Sequence, residues 1–127
     1  MKFMMLMIPA VYQGGKKVDP GFVPDPKKIE PMGRFNEEMG KVLKVESLNG
    51  LHPVTTGARV SFAKGKATVT DGPSIEAKEV LGGYWLVEAK SKEEVLKWAQ
   101  RCPADDGDVI EIRQIFDAAD FAITKGT

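Results

Sequence analysis

One cysteine and one histidine in 127 residues remove whole classes of chemistry before any motif is sought. A lone thiol, Cys102, excludes an internal disulfide and suits a reducing compartment. With His52 the only imidazole, a metal would have to be held by carboxylates. Net charge is missing too: eighteen basic and eighteen acidic side chains cancel, and no basic stripe marks a nucleic-acid footprint. Long apolar runs are absent. The run Phe3 to Ile8, behind Lys2, is shorter than the roughly 7–15 residues of a signal peptide's apolar core, and Pro9 ends it. It is also far below the roughly 20 residues that span a bilayer. The expectation is one cytoplasmic domain, with neither a membrane nor a nucleic acid as direct partner. No dinucleotide fingerprint, Gly-Lys-Ser/Thr loop or zinc spacing is present. The glycine pairs at 14–15 and 82–83 are too short to cradle a phosphate, so no cofactor is implied.

What is present reads as an alternation of strands and helices. In Lys2–Ile8 both alternating sets are apolar (Phe3, Met5, Met7 and Met4, Leu6, Ile8), which predicts a strand covered on both faces. Residues 12–31 hold three glycines and four prolines and predict an arm or loop. Phe22 and Val23 would pin it to the body, and Asp25-Pro26 could start a helical turn. From Met32 the spacing Met32, Phe35, Met39, Val42, Leu43 predicts a helix to about Ser47. Glu37 and Lys41 would pair on its outer side, Gly40 would allow close approach to the sheet, and Asn49-Gly50 would stop it.

A hairpin follows. Ala58, Val60 and Phe62 alternate with Arg59, Ser61 and Ala63, Lys64-Gly65-Lys66 makes the turn, and Ala67–Thr70 returns. Asp71-Gly72-Pro73 closes that strand with turn-forming residues. Tyr84–Ala89 predicts another strand with two apolar faces. Ser91 and Glu94 form a capping box ahead of a helix whose face is Val95, Trp98, Ala99 and Cys102, ended by Pro103. A last strand runs Val109–Phe116, and the tail at 117–127 is peripheral. Two helices with this connectivity fall on one face of a sheet, yet two strands ask for cover on both. A second copy packed sheet to sheet resolves the conflict, so a homodimer with a cleft between the sheets is the expectation.

The run Val69-Thr70-Asp71-Gly72-Pro73, then Glu76-Ala77-Lys78-Glu79 and Gly82-Gly83-Tyr84-Trp85-Leu86, resembles the YCII-related superfamily, and within it the DGPF-domain branch. The likeness extends to Gly50-Leu51-His52-Pro53, Arg101-Cys102-Pro103 and Ile110-Glu111-Ile112-Arg113, over most of the chain from Lys2 to Phe121. It departs at Ser74, where the branch has phenylalanine, and in the arm at 12–31. The resemblance implies a ferredoxin-like α+β fold, βαββαβ with an extra hairpin strand, paired into a dimeric α/β barrel. It also implies a histidine–aspartate acid/base pair in the cleft, matched here by His52 and Asp71. Some relatives are linked to small cyclic or halogenated compounds, and the DGPF branch to extracytoplasmic-function sigma factors as partners.

The residues themselves carry part of this reading. Histidine titrates nearest neutrality, as a general acid or base requires. An aspartate accepting its N–H would fix the tautomer and leave the other nitrogen for substrate. Asp71 would also stabilise its own turn. Lys78 and Glu79 form either a salt-bridged lip or substrate contacts. Glu111 and Arg113 either line the cleft, where the guanidinium would grip a carboxylate or phenolate, or sit as an exposed edge pair. Tyr84 is core, interface or, through its hydroxyl, a cleft residue. Two functions stay open: a cofactor-free small-molecule enzyme using His52 and Asp71, and a non-catalytic ligand-binding or regulatory dimer acting with a sigma factor.

Overall fold

The computed structural model describes residues 1–13, 21–75 and 79–125, the last four by backbone only. Among the described residues, six strands and three α-helices run in the order β1 (Lys2–Ile8), α1 (Pro26–Gly40), β2 (Lys44–Gly50), β3 (Ala58–Ala63), β4 (Lys66–Asp71), β5 (Gly83–Glu88), α2 (Lys92–Ala99), β6 (Val109–Gln114) and α3 (Ala118–Lys125). Four strands form one antiparallel sheet in the order β2-β5-β1-β6, and β3 pairs with β4 apart from it. Without that hairpin the chain is βαββαβ with its two outer strands flanking the first and third, which is the ferredoxin-like α+β fold.

Alternation along the strands decides what each face carries. Phe3, Met5 and Met7 of β1 and Trp85 and Val87 of β5 point to one side, opposite each other in register. There they meet Phe35, Met39 and Leu43 from the α1 side and Val95 and Trp98 from α2. Phe3, Met5, Met39, Val87 and Val95 are wholly buried. Burying side chains of this size contributes about 1.5–3 kcal/mol each, offset by ordering entropy. Phe35 sits edge-on to Trp85, ring centres 6.1 Å apart, and 6.4 Å from Trp98. The indole N–H of Trp85 donates to Asn36 Oδ1 at 2.7 Å, so the polar end of a buried ring has a partner.

Local chemistry sets the helix ends. Asp25 caps α1 by accepting from the Lys27 amide at 3.0 Å, with Pro26 at the first helical position. Ser91 caps α2 through the Glu94 amide at 3.2 Å. Arg101 joins the helices by an ion pair to Glu38 at 3.0 Å and lies over the Trp98 ring at 4.2 Å. Lys28 pairs with Asp105. That contact holds its ammonium above the usual lysine range.

The structure corrects the expected helix to Ser47. It ends at Gly40, and Lys44–Gly50 is a strand with a bulge between Val45 and Ser47. Gly40 therefore terminates a helix rather than letting it approach the sheet: a Cβ there would meet nothing within 4 Å. Asn49-Gly50 ends an edge strand, not a helix. Arg34 with Glu30, not Glu37 with Lys41, is the i,i+4 ion pair formed on α1. Of the expected pins, Phe22 packs edge-on against Tyr12 at 5.6 Å, while Val23 stands exposed. The tail is not shapeless: Asp117 and Asp120 cap α3 reciprocally at 2.8 and 3.0 Å, and Phe116 stacks obliquely on Phe121 at 5.2 Å.

Candidate functional site

The second face of the sheet carries no helix among the described elements. Registers place Ser47 and Leu86, with Met4 and Arg113, in one row, and Asn49, Tyr84, Leu6 and Glu111 in the next. The middle, Met4, Leu6 and Leu86, is apolar and half-buried. At one edge the Tyr84 hydroxyl receives the Asn49 amide at 2.9 Å and shares a hydrogen bond with Ser47 Oγ at 3.2 Å. Those bonds stabilise the phenolate and pull the Tyr84 phenol below its usual value, Ser47 contributing most. At the other edge Arg113 reaches Glu111 at 3.4 Å, both exposed. The face is thus an apolar floor between a hydroxyl–amide cluster and a guanidinium–carboxylate pair.

His52 and Asp71 lie in the neck that joins the hairpin to this sheet. Leu51 is fixed on both sides: its amide donates to the Gly82 carbonyl at 2.9 Å, and the Tyr12 hydroxyl donates to its carbonyl at 3.0 Å. Burial raises the Tyr12 phenol. Pro53 is buried, and one helical turn, Val54–Thr56, packs against a second, Gly72–Ser74. The contact is very close: a Cβ on Gly72 would lie 2.1 Å from the Val54 carbonyl oxygen and 2.6 Å from Thr55 backbone atoms. Only a residue with no side chain allows it. The Gly72 amide also donates to Gly57 at 2.8 Å. The backbones that carry His52 and Asp71 are therefore clamped. Their side chains both stand exposed, and no hydrogen bond or ion pair joins them within one chain.

Glu79 is exposed beside this neck. Next to it, Gln13 brackets Val80, donating to its carbonyl and accepting from its amide, both at 2.9 Å. Lys78 lies outside the described residues. Cys102 is half-buried, its thiol 4.0 Å from the Met32 sulfur. Burial first, and Asp108 second, push it up to about 11, which makes it a poor nucleophile. No group of three or more potential metal ligands occurs among the described residues.

Sequence reasoning missed one element of the site. A cavity of about 250 Å³ opens where β2 and β5 end, against the first half of α1, with Met7, Met32, Leu48 and Trp85 among its walls. Asn49 and Tyr84 belong both to this wall and to the polar cluster, so the cavity and the open face meet at the β2 edge. Asn36, whose Oδ1 accepts from Trp85, is a further polar residue of the wall. The signal was concealed by the misread helix: only a strand at Lys44–Gly50 brings Ser47 and Asn49 beside Tyr84.

A ferredoxin-like sheet with one uncovered face, a clamped neck and a site at one end defines a class of small α+β domain. The profile of the YCII-related domain matches residues 14–119, and the chain belongs to that family. No curated protein matches the chain.

Proposed function

We propose that this protein, of the DGPF branch by its sequence resemblance, takes a small ring or carbonyl compound into a site at the β2–β5 end of the sheet. It transfers a proton there with His52 and Asp71, without a cofactor. The protein acts as a cytoplasmic homodimer whose open sheet faces meet, so the cavity and the Tyr84 cluster become parts of one water-poor cleft. The observation that carries this reading is the convergence at one sheet end. Tyr84, Asn49 and Ser47 form a polar cluster beside an apolar cavity, and the neck bearing His52 and Asp71 leaves from the same end. Apolar walls with a few fixed polar groups are the usual composition of small-molecule sites. Arg113, at the opposite edge of the open face, would join the site only across the cleft of the proposed dimer, where its guanidinium suits a carboxylate or phenolate substrate. Glu79 is proposed as a further contact.

One observation favours a second reading, a ligand-binding or regulatory dimer without catalysis that acts with an extracytoplasmic-function sigma factor. The two side chains of the acid/base pair stand in water without contacting each other in the single chain. A thermal-shift screen of phenolic and carboxylic metabolites separates the two. A ligand at a hundred times its Kd adds about 2.7 kcal/mol, or roughly 10 °C for a chain of this length. Acid/base catalysis requires a hit that wild type turns over, and turnover must vanish in His52→Ala and Asp71→Asn but persist in Cys102→Ala. A hit bound equally well by all four proteins and turned over by none supports the regulatory reading and sinks the catalytic one.

A further inference from the structure

The β3–β4 hairpin is the part of the fold that neither the core nor the site accounts for. Its register pairs Ala58 with Asp71, Val60 with Val69 and Phe62 with Ala67, which places all six on one side. Arg59, Ser61, Thr68 and Thr70 take the other. The apolar side is in water: Phe62 is 79% exposed, Val69 67% and Val60 53%. A tight two-residue turn holds the shape, with Lys64 at φ 50° and Gly65 at φ 77°, the backbone a twisted hairpin prefers. A lone two-stranded ribbon is at best marginally stable, so an ordered hairpin with this face calls for a cover.

The area of the whole chain says how large that cover is. Its accessible surface is 9153 Å², whereas a compact monomer of this mass exposes roughly 6,700 Å². The difference is an excess on the order of 1,000 Å² or more per chain. That is the share one partner contributes to a standard or somewhat larger protein interface. The hairpin supplies only part of it, on the order of 300 Å² from Phe62, Val60 and Val69. The open sheet face has to supply the rest.

We infer that the hairpin is an arm that lays its apolar side on a second copy of this chain, reaching past the edge of its own sheet. A two-fold axis covers both open faces and both arms in one association. A different protein seated on the arm would leave the sheet face wet, and the balance of eighteen basic and eighteen acidic groups gives a charged partner nothing to recognise. Six residues per strand carry the arm roughly 20 Å from its root, more than the roughly 14 Å across four strands. Asp71 stands at the root of the same side, so the partner that covers Val69 also excludes water from the carboxylate. The site is then complete only in the dimer. This rests on the homodimer proposed above and adds the arm and its contribution to the site.

Two measurements on the full chain test it. Sedimentation velocity across 1–100 µM is compared for wild type, Phe62→Asp and Leu86→Arg, with hydrogen exchange of the hairpin amides of the wild type over the same range. The inference expects a wild-type dimer whose hairpin protection rises with concentration. It also expects at least a hundredfold weaker dimer in Phe62→Asp, with unchanged circular dichroism because Phe62 is outside the core. A rise in dimer fraction without a rise in hairpin protection overturns the arm, as does a Phe62→Asp dimer as tight as the wild type's; if Leu86→Arg alone dissociates it, the sheet-to-sheet dimer survives. A wild type that is monomeric at 100 µM overturns both.

Discussion

Replacing Gly72 with alanine adds one methyl group and should disable the neck. The new carbon would sit 2.1 Å from the Val54 carbonyl oxygen and 2.6 Å from the Thr55 carbonyl carbon and oxygen, well inside normal contact. Those are backbone atoms, so no rotamer relieves the clash, and the turns at Val54–Thr56 and Gly72–Ser74 must separate. The Gly72–Gly57 hydrogen bond at 2.8 Å goes with them, a net loss of about 1 kcal/mol. Overpacking strain adds roughly 1–3 kcal/mol. None of these residues belongs to the main core, so the damage is local. The expected result is a melting temperature lowered by roughly 8–15 °C, hydrogen exchange accelerated at least tenfold across Ala58–Asp71, and loss of any ligand response that depends on His52. Gly65→Ala is the control, since it has open space around it and strains only its own turn. If Gly72→Ala keeps hairpin protection and ligand response at wild-type levels, the clamp argument is wrong.

Three other outcomes follow from the same structure. Gly33 lies inside α1, and a methyl group added there would meet nothing within 4 Å. Gly33→Ala should therefore stabilise by about 0.5–1 kcal/mol, a rise of roughly 2–4 °C by calorimetry. The two tyrosines should titrate apart when followed at 295 nm. Tyr84 ionises below the usual value near 10, and its stabilising share is present above that value and lost as pH falls through its folded pKa. Tyr12 ionises above it, and its share is lost as pH rises; Asn49→Ala should move only the lower step, upward. Cys102, held at about 11, should react with a disulfide reagent at pH 8 about a hundredfold more slowly than after unfolding. Stability should fall between roughly pH 9 and 11 as the unfolded thiol ionises first. Equal rates in the folded and unfolded protein would contradict its burial.

Elements with strong local signals were legible from sequence: β1 and β5 from their doubly apolar alternation, α2 from its cap and stripe, the hairpin from its turn. β2 was not, because Val42 and Leu43 extend the helical spacing up to an edge strand with little burial. The residue that should have arbitrated was Gly40, which is a helix end rather than a packing glycine. Misreading that strand concealed Ser47 and Asn49, and with them the partners of Tyr84. His52 and Asp71 were visible as residue types, but their reach depends on side-chain directions that spacing does not encode. The floor of the second sheet face was legible in the alternation of β1, since Met4 and Leu6 are half-buried without a helix above them.

The hairpin is spliced between two strands that are neighbours in the sheet, Gly50 lying opposite Gly83. Closing the intervening loop of roughly 30 residues costs only about 0.5 kcal/mol more than closing it with the hairpin already zipped. The ferredoxin-like core is therefore nearly indifferent to what is inserted there. Lengthening, shortening or exchanging the hairpin would barely change how the domain folds, while changing the size and chemistry of the apolar side it exposes. Such an insertion point lets an exposed surface change without renegotiating the core.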